Sequence, residues 1–320
     1  MATEALPEID AQYRVLREGA GLLDRSDRGK LSVAGADAAE FLQGQLTNEI
    51  EALGPGSGCY AALLDRKGHV QADARVLRLA ANEFSIDTEP AGLTPLHRHL
   101  QTYKIGREVE IADLTAGRGL LSLLGPAAPE VSGSRPGAEH SHAELSLGGA
   151  ACLAVATDLG FDLFSAAADV SAVRAALLEA GAVGVGAEAA EIVRVESGRP
   201  RFGAEMSAAT MPAEVGIVER AVDFEKGCYI GQEPVARLHY RGRPNRMLRG
   251  LRLSAAAPQG DALRLGEREV GELGTSVVSP ALGPIALAVV RREAEPGAQL
   301  SVGEGGVTAE VAELPFGAPA

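Results

Sequence analysis

The alternation of apolar and polar positions changes period several times along the chain, and each change predicts an element. In "ADAAEFLQGQLTNEI" the apolar residues Ala39, Leu42, Leu46 and Ile50 fall at helical spacing, directly after "GKLSVAG", which reads as a strand. A helix is predicted ahead of both, from Glu8 to Gly19. "CYAALL", a turn at "DRKG", "HVQADARVLRLA" and "EFSIDT" then alternate in a way that suits a β-meander. "GLTPLHRHLQTYK" predicts a helix and "VEIADLT" a strand, so residues 29–115 spell strand, helix, strands, helix, strand. That is the order of a split βαβ unit with antiparallel pairing.

A weaker version of the same order follows. "GLLSLLG" predicts a strand, "PAAPEV" a short helix, "AELSLGGAACLAVA" a hairpin, "FDLFSA" a strand and "DVSAVRAALLEAGA" a helix. From Asn245 the helical period disappears, and short apolar runs such as "PIALAVVRRE" and "GVTAEVAEL" alternate with Gly/Pro turns. The expectation is an α+β protein. Two related split βαβ, ferredoxin-like halves, residues 1–116 and 117–244, precede a small C-terminal β-barrel at 245–320.

Composition narrows the function classes. The chain has 320 residues, 46% apolar and 23% charged, which is ordinary for a globular protein with a sizeable core. A formal net charge of -13 works against general affinity for polyanions, so direct nucleic-acid binding is disfavoured. No apolar run reaches the roughly 18 residues of a membrane span, and the acidic start "MATEALPEIDAQ" is unlike a signal peptide. A cytoplasmic monomer is expected. Cys59, Cys152 and Cys228 are too few and too scattered for a disulfide framework or a zinc site, and no metal is expected.

Several short stretches could carry chemistry. "GVGAEA", Gly184 to Ala189, matches a loose dinucleotide-binding pattern but follows a predicted helix, so a glycine-rich connection between helices is the simpler account. His97 and His99 lie in a predicted helix and His140 and His142 in a Gly/Pro/Ser-rich loop; solvated side chains are expected. In "EIVRVESGRPRFGAE", Glu196 closes a helix-like stretch ahead of Gly198 and Pro200. A carboxylate there can accept paired hydrogen bonds from a flat amino-heterocycle, although a surface salt bridge to Arg194 or Arg199 explains it more simply. "RLHYRGRPNRMLR", Arg237 to Arg249, is either a solvated basic linker or an anion site.

"KGCYIGQE", residues 226–233, is the most telling stretch. Cys59 and Cys152 sit in apolar runs and read as small core residues. Cys228 is bracketed by Gly227 and Gly231, a tight backbone that exposes a side chain, and Lys226 would favour its thiolate if both face the same way. "KGCYIGQEPVARLHYRG", with "VESGRPRFGAEMSAATMPAEVGI" before it and "GTSVVSPALGPIALAVV" after it, closely resembles the YgfZ branch of the glycine-cleavage T-protein (aminomethyltransferase, GcvT) superfamily. "VAGADAAEFLQGQLTNEI" and "CYAALLDRKGHVQADARVLR" extend the likeness over nearly the whole chain.

The resemblance implies a GcvT-like fold around a pocket for tetrahydrofolate, or a one-carbon-substituted form of it. It also implies a role in iron–sulfur cluster assembly or repair, with iron–sulfur enzymes and assembly proteins as partners, radical-SAM tRNA-modifying enzymes among them. By the same resemblance Tyr60 is a folate-contacting aromatic and Glu196 a pterin-binding acid. Tyr229 and Gln232 join the folate contacts, and Arg237 and Arg241 are candidates for the folate glutamate carboxylates. Cys228, Lys226 and Asp73 are the candidate catalytic residues. T-proteins carry an Asp pair where this chain has Ala72 and Asp73, which bears on the alternative function, aminomethyl transfer in glycine cleavage. A third possibility, RNA binding through Arg237 to Arg249, predicts affinity that falls steeply with salt.

Overall fold

The computed structural model describes Leu6, Glu8 and residues 9–135 and 137–317. The chain divides into two compact units: residues 1–64, 71–190 and 220–230 form one, and residues 65–70, 191–219 and 231–320 the other.

The first unit holds two sheets. One has five strands in the order Ser57–Leu64, Val70–Ala80, Glu83–Thr88, Gly29–Ala34, Glu110–Asp113. Alternation sets its two faces. Leu31, Val33, Ala72, Ala74, Val76 and Ile86 turn one way into a core completed by Phe41 and Leu42 of the helix Ala38–Gln45 and by Leu96 and Leu100 of the helix Pro90–Tyr103. The second sheet runs Val183–Gly184, Gly21–Asp24, Arg118–Leu124, Gly160–Ala166, Ala150–Thr157, His142–Leu147. Its core joins Leu22, Leu121, Leu123, Phe161 and Leu163 to Val173 and Leu177 of the helix Val170–Glu179. Leu77 of the first sheet packs with Leu120, Val155 and Phe164 of the second.

Two short strands depart from the expectation. Gly21–Asp24 enters the second sheet, and Val183–Gly184 pairs parallel to it. "GVGAEA" is therefore no plain connection between helices: Gly184 is in the sheet, and the side chain of Gln12 accepts from the Gly186 amide at 2.6 Å just before the helix Ala187–Glu196. Two strand residues are too few for any periodicity to reveal.

The second unit carries the closed barrel. Its ring runs Arg246–Leu253, Val307–Ala312, Gln299–Val302, Ala262–Leu265, Arg268–Glu272, Gly283–Arg291 and back to Arg246–Leu253. A seventh strand, Ser276–Ser279, pairs with Gly283–Arg291 alone. Leu251, Leu263, Val270, Leu300, Val302 and Val311 fill the ring. The expected α+β fold with a C-terminal barrel is thus observed, while part of the expected basic linker is the helix Gln232–Arg241. Among the described residues no helix is long and apolar enough to cross a membrane.

Candidate functional site

On the strand Val70–Ala80, the residues that turn away from the apolar core are Asp73, Arg75 and Leu77, and the first two begin a buried charge network. Arg75 donates through Nε to Asp87 Oδ2 at 2.7 Å and reaches Asp162 Oδ2 through Nη1 at 2.7 Å. One arginine therefore ties the first sheet to the second. Arg28 pairs with Asp87 at 2.7 Å and with Glu89, and Arg25 also holds Glu89 at 2.9 Å. Burial works against the Asp87 carboxylate, yet Arg75 and Arg28 overcome it and hold its pKa below the ordinary value.

Asp73 is the exception in this network. Its Oδ2 accepts the Tyr60 hydroxyl at 3.0 Å, while Oδ1 is buried without a hydrogen-bond partner. Burial pushes its carboxyl up to about 6, against the opposing effect of Arg28. Tyr60 is raised well above its ordinary range by burial and by Asp73, and the Arg220 guanidinium lies 5.3 Å from its ring centre. Tyr60 and Asp73, both nominated from sequence, are thus a bonded pair. Ala72, the departure from the Asp pair, is fully buried in the apolar core on the opposite face of the strand.

The "KGCYIGQE" stretch is assembled from different forces. Lys226 is 7% exposed, and its ammonium donates to the carbonyls of Gln43, Leu46 and Asn48 at 2.6–2.7 Å. Gln43 and Leu46 end the helix Ala38–Gln45, where carbonyls lack intrahelical partners, so a cation there satisfies them. Burial lowers the Lys226 pKa to about 8. Lys226 thus fastens the turn to the first sheet's helix and does not face solvent with Cys228, which is exposed. The condition set for thiolate activation by Lys226 is not met. Tyr229 packs under the Lys226 ammonium at 5.2 Å, is 7% exposed, and keeps its hydroxyl buried without a partner. The other cysteines are core residues as expected: Cys152 is buried, and half-buried Cys59 has its thiol pushed up to about 12 by burial.

The remaining nominated residues belong to the second unit. Glu196 ends its helix at 3% exposure and accepts the Ser279 hydroxyl, whose oxygen in turn accepts the Ala281 and Leu282 amides. Glu196 is therefore a buried carboxylate and not a surface group. Its neighbour Arg194 instead joins Glu191, Glu205 and Thr275 at 2.8–2.9 Å. Gln232 opens the helix Gln232–Arg241, half-buried, after Gly231 takes φ +83° at the N-cap. Arg237 is exposed and pairs with Glu233 one turn away, and Arg241 is exposed. Exposed ion pairs of that kind hold a side chain only weakly.

Sequence reading passes over Arg28, Arg75, Asp87 and Glu89, and expects a solvated side chain at His140. His140 is not solvated: its side chain is 13% exposed, and burial followed by the charge of Arg75 lowers its pKa to about 4. The signal available for Arg75 was its place two residues from Asp73, on the same strand face. The others meet through pairings that no local window contains. Among the described residues, no group of three or more His, Cys, Asp or Glu side chains could hold a metal ion.

Residues 2–226 match the family model described as the GCVT N-terminal domain. The chain is 31% identical over 320 residues to an aminomethyltransferase of Thermus thermophilus, spanning 96% of this chain and 90% of that protein. It is 27% identical over 334 residues to a putative chloroplastic transferase of Arabidopsis thaliana, spanning 98% and 75%. The crystal structure of the glycine cleavage system aminomethyltransferase T from Bartonella henselae shares the fold, with TM-score 0.87 over 97% of this chain and 89% of that one at 22% identity. The match covers well over half of the sequence and the strands that carry the Tyr60–Asp73 pair, so this chain belongs to the GCVT N-terminal domain family.

Proposed function

We propose that this protein binds tetrahydrofolate and transfers a one-carbon unit to it in the manner of an aminomethyltransferase, with a lipoyl carrier protein as donor. The observation that carries this reading is Asp73: a buried carboxyl with one oxygen held by Tyr60, the other without a partner, and a pKa near 6. Such a group fits a ligand that brings an N–H, because Oδ1 can accept it and the acid titrates close enough to neutrality to take and return a proton. Bound tetrahydrofolate would supply the nitrogen that receives the carbon. Tyr60 orients the carboxyl, and Asp73 holds or releases the proton at Oδ1. Ala72 does not argue against this reading, because its position faces the apolar core and not the charged network.

The test is folate-dependent release of ammonia from an aminomethyl-lipoyl carrier protein. Wild-type turnover that falls about 10²–10⁴-fold in Asp73→Asn supports the reading. Absence of ammonia release under saturating tetrahydrofolate removes it.

A second reading is favoured by Cys228, which is exposed on a turn that Lys226 fastens from beneath. In it the protein is a tetrahydrofolate-binding accessory factor for iron–sulfur cluster assembly or repair, serving iron–sulfur enzymes such as radical-SAM tRNA-modifying enzymes. Cys228→Ser would then keep tetrahydrofolate affinity yet fail to restore iron–sulfur enzyme activity in cells lacking the protein. Full restoration by Cys228→Ser would dismiss this reading and leave the first intact.

A further inference from the structure

Three of the buried polar atoms without a hydrogen-bond partner fall in one electrostatic cluster: Asp73 Oδ1, Arg75 Nη2 and His140 Nδ1. Arg28 and Arg75 share Asp87, Arg75 also bonds Asp162, and the cross-strand partner of Asp162, Val155, adjoins the Ala156 carbonyl that accepts the His140 amide. An unsatisfied buried polar atom costs roughly 1–3 kcal/mol, so three in one place are a liability unless a ligand supplies their partners. Asp73 already has a role in the proposed reaction. Arg75 and His140 have none.

His140 carries a second, independent mark. It adopts φ +69°, and among the described residues it alone is a non-glycine residue at positive φ. A side chain in that region strains the backbone, and such positions recur where function requires a particular side chain. The loop that carries it is anchored: the His140 amide donates to Ala156 O at 2.8 Å and the Ala156 amide to Ser141 O at 2.8 Å. The His140 Cβ lies beside Gly58, where an added Cβ would come within 3.2 Å of it, two residues from Tyr60. Its Nε2 faces Glu139 at 3.7 Å. A neutral ring with its proton on Nε2 presents Nδ1 as an acceptor.

We propose that His140 is a ligand-contacting residue, whose Nδ1 accepts a hydrogen bond from a ligand amide N–H while Arg75 Nη2 donates to the carbonyl of the same amide. The complementarity is chemical: Nδ1 of the neutral ring wants a donor, Nη2 offers one, and a secondary amide provides donor and acceptor on adjacent atoms. This rests on the folate reading, in which the amide is the one joining the benzoyl and glutamyl parts of tetrahydrofolate. It assigns to the loop before His142–Leu147 a share in recognising that part of the molecule.

The strained backbone makes the test sharp. Glycine adopts positive φ freely, so His140→Gly keeps or raises the melting temperature if the histidine serves only the fold. Calorimetric titrations of wild type, His140→Gly and His140→Asn with tetrahydrofolate, and with tetrahydropteroate, which lacks the glutamyl amide, separate the roles. The expected result is that wild type prefers tetrahydrofolate, that His140→Gly loses about three- to tenfold of that preference without a fall in melting temperature, and that His140→Asn, which tolerates the backbone and retains an acceptor oxygen, keeps most of it. A His140→Gly protein that discriminates like wild type, or that weakens on both ligands equally, overturns the inference alone. No binding of either ligand by wild type removes the folate reading and this inference with it.

Discussion

The barrel interior and the charged face of the five-stranded sheet are both β-structure shielded from water, yet they are filled by opposite means. Leu251, Leu263, Val270, Leu300, Val302 and Val311 close the barrel with apolar atoms alone, each gaining free energy from burial. The strand Val70–Ala80 instead turns Asp73 and Arg75 inward, among Arg28, Asp87 and Asp162. Buried ion pairs are weak sources of stability, because desolvation offsets most of the attraction. The difference separates two duties: the barrel interior is spent on holding shape, while the charged face accepts a cost to keep titratable groups in a dry, fixed arrangement.

That contrast can be broken in graded ways. The largest effect is expected from Asp73→Asn, which should lower turnover about 10²–10⁴-fold while raising stability at neutral pH by about 1–3 kcal/mol. The sign follows from the raised pKa: the folded protein keeps its proton up to about pH 6, whereas the unfolded chain releases it near 3.8. The folded state therefore binds more protons between those values, stability falls as pH rises through about 4 to 6, and Asn removes that loss. Urea unfolding of both proteins at pH 4 and pH 7 checks it; a wild-type advantage at pH 7 would refute the assignment.

Arg75→Leu comes next. It leaves Asp162 with the Ser122 hydroxyl but without its arginine, and Asp87 with Arg28, so a loss of about 3–5 kcal/mol is expected by the same unfolding measurement. In the barrel, Leu263→Ala should cost about 2–5 kcal/mol through lost burial and cavity formation, with tetrahydrofolate affinity unchanged. A drop in affinity as large as that of a site variant would erase the proposed separation of duties. The smallest effect is expected at Gly231→Ala: alanine at φ +83° should cost about 1–2 kcal/mol, seen as a lower melting temperature.

Much of the fold was legible because its strands and helices bury continuous faces. "EFSIDT" is the strand Glu83–Thr88 and "FDLFSA" falls in Gly160–Ala166, since alternation there matches a half-buried strand. The helix Gln232–Arg241 was not legible, because Val235 is its one fully buried residue and four charged or histidine side chains mask the rest. At the site, Tyr60 and Asp73 were reachable through motif likeness, and Lys226 was noticed for its neighbour Cys228. Its actual task, capping carbonyls about 180 residues away in sequence, depends on contacts that sequence does not encode locally. His140 was read as a solvated loop residue because nothing in "HSH" announces a left-handed backbone; glycine would have, and histidine conceals it.

The strand Ser276–Ser279 stands outside the ring of six that closes the barrel, and it bears the serine that fixes Glu196. Substitutions along it can reorient that acid without opening a seam in the cylinder. The orientation of that acid is therefore a trait on which selection can act separately from foldability.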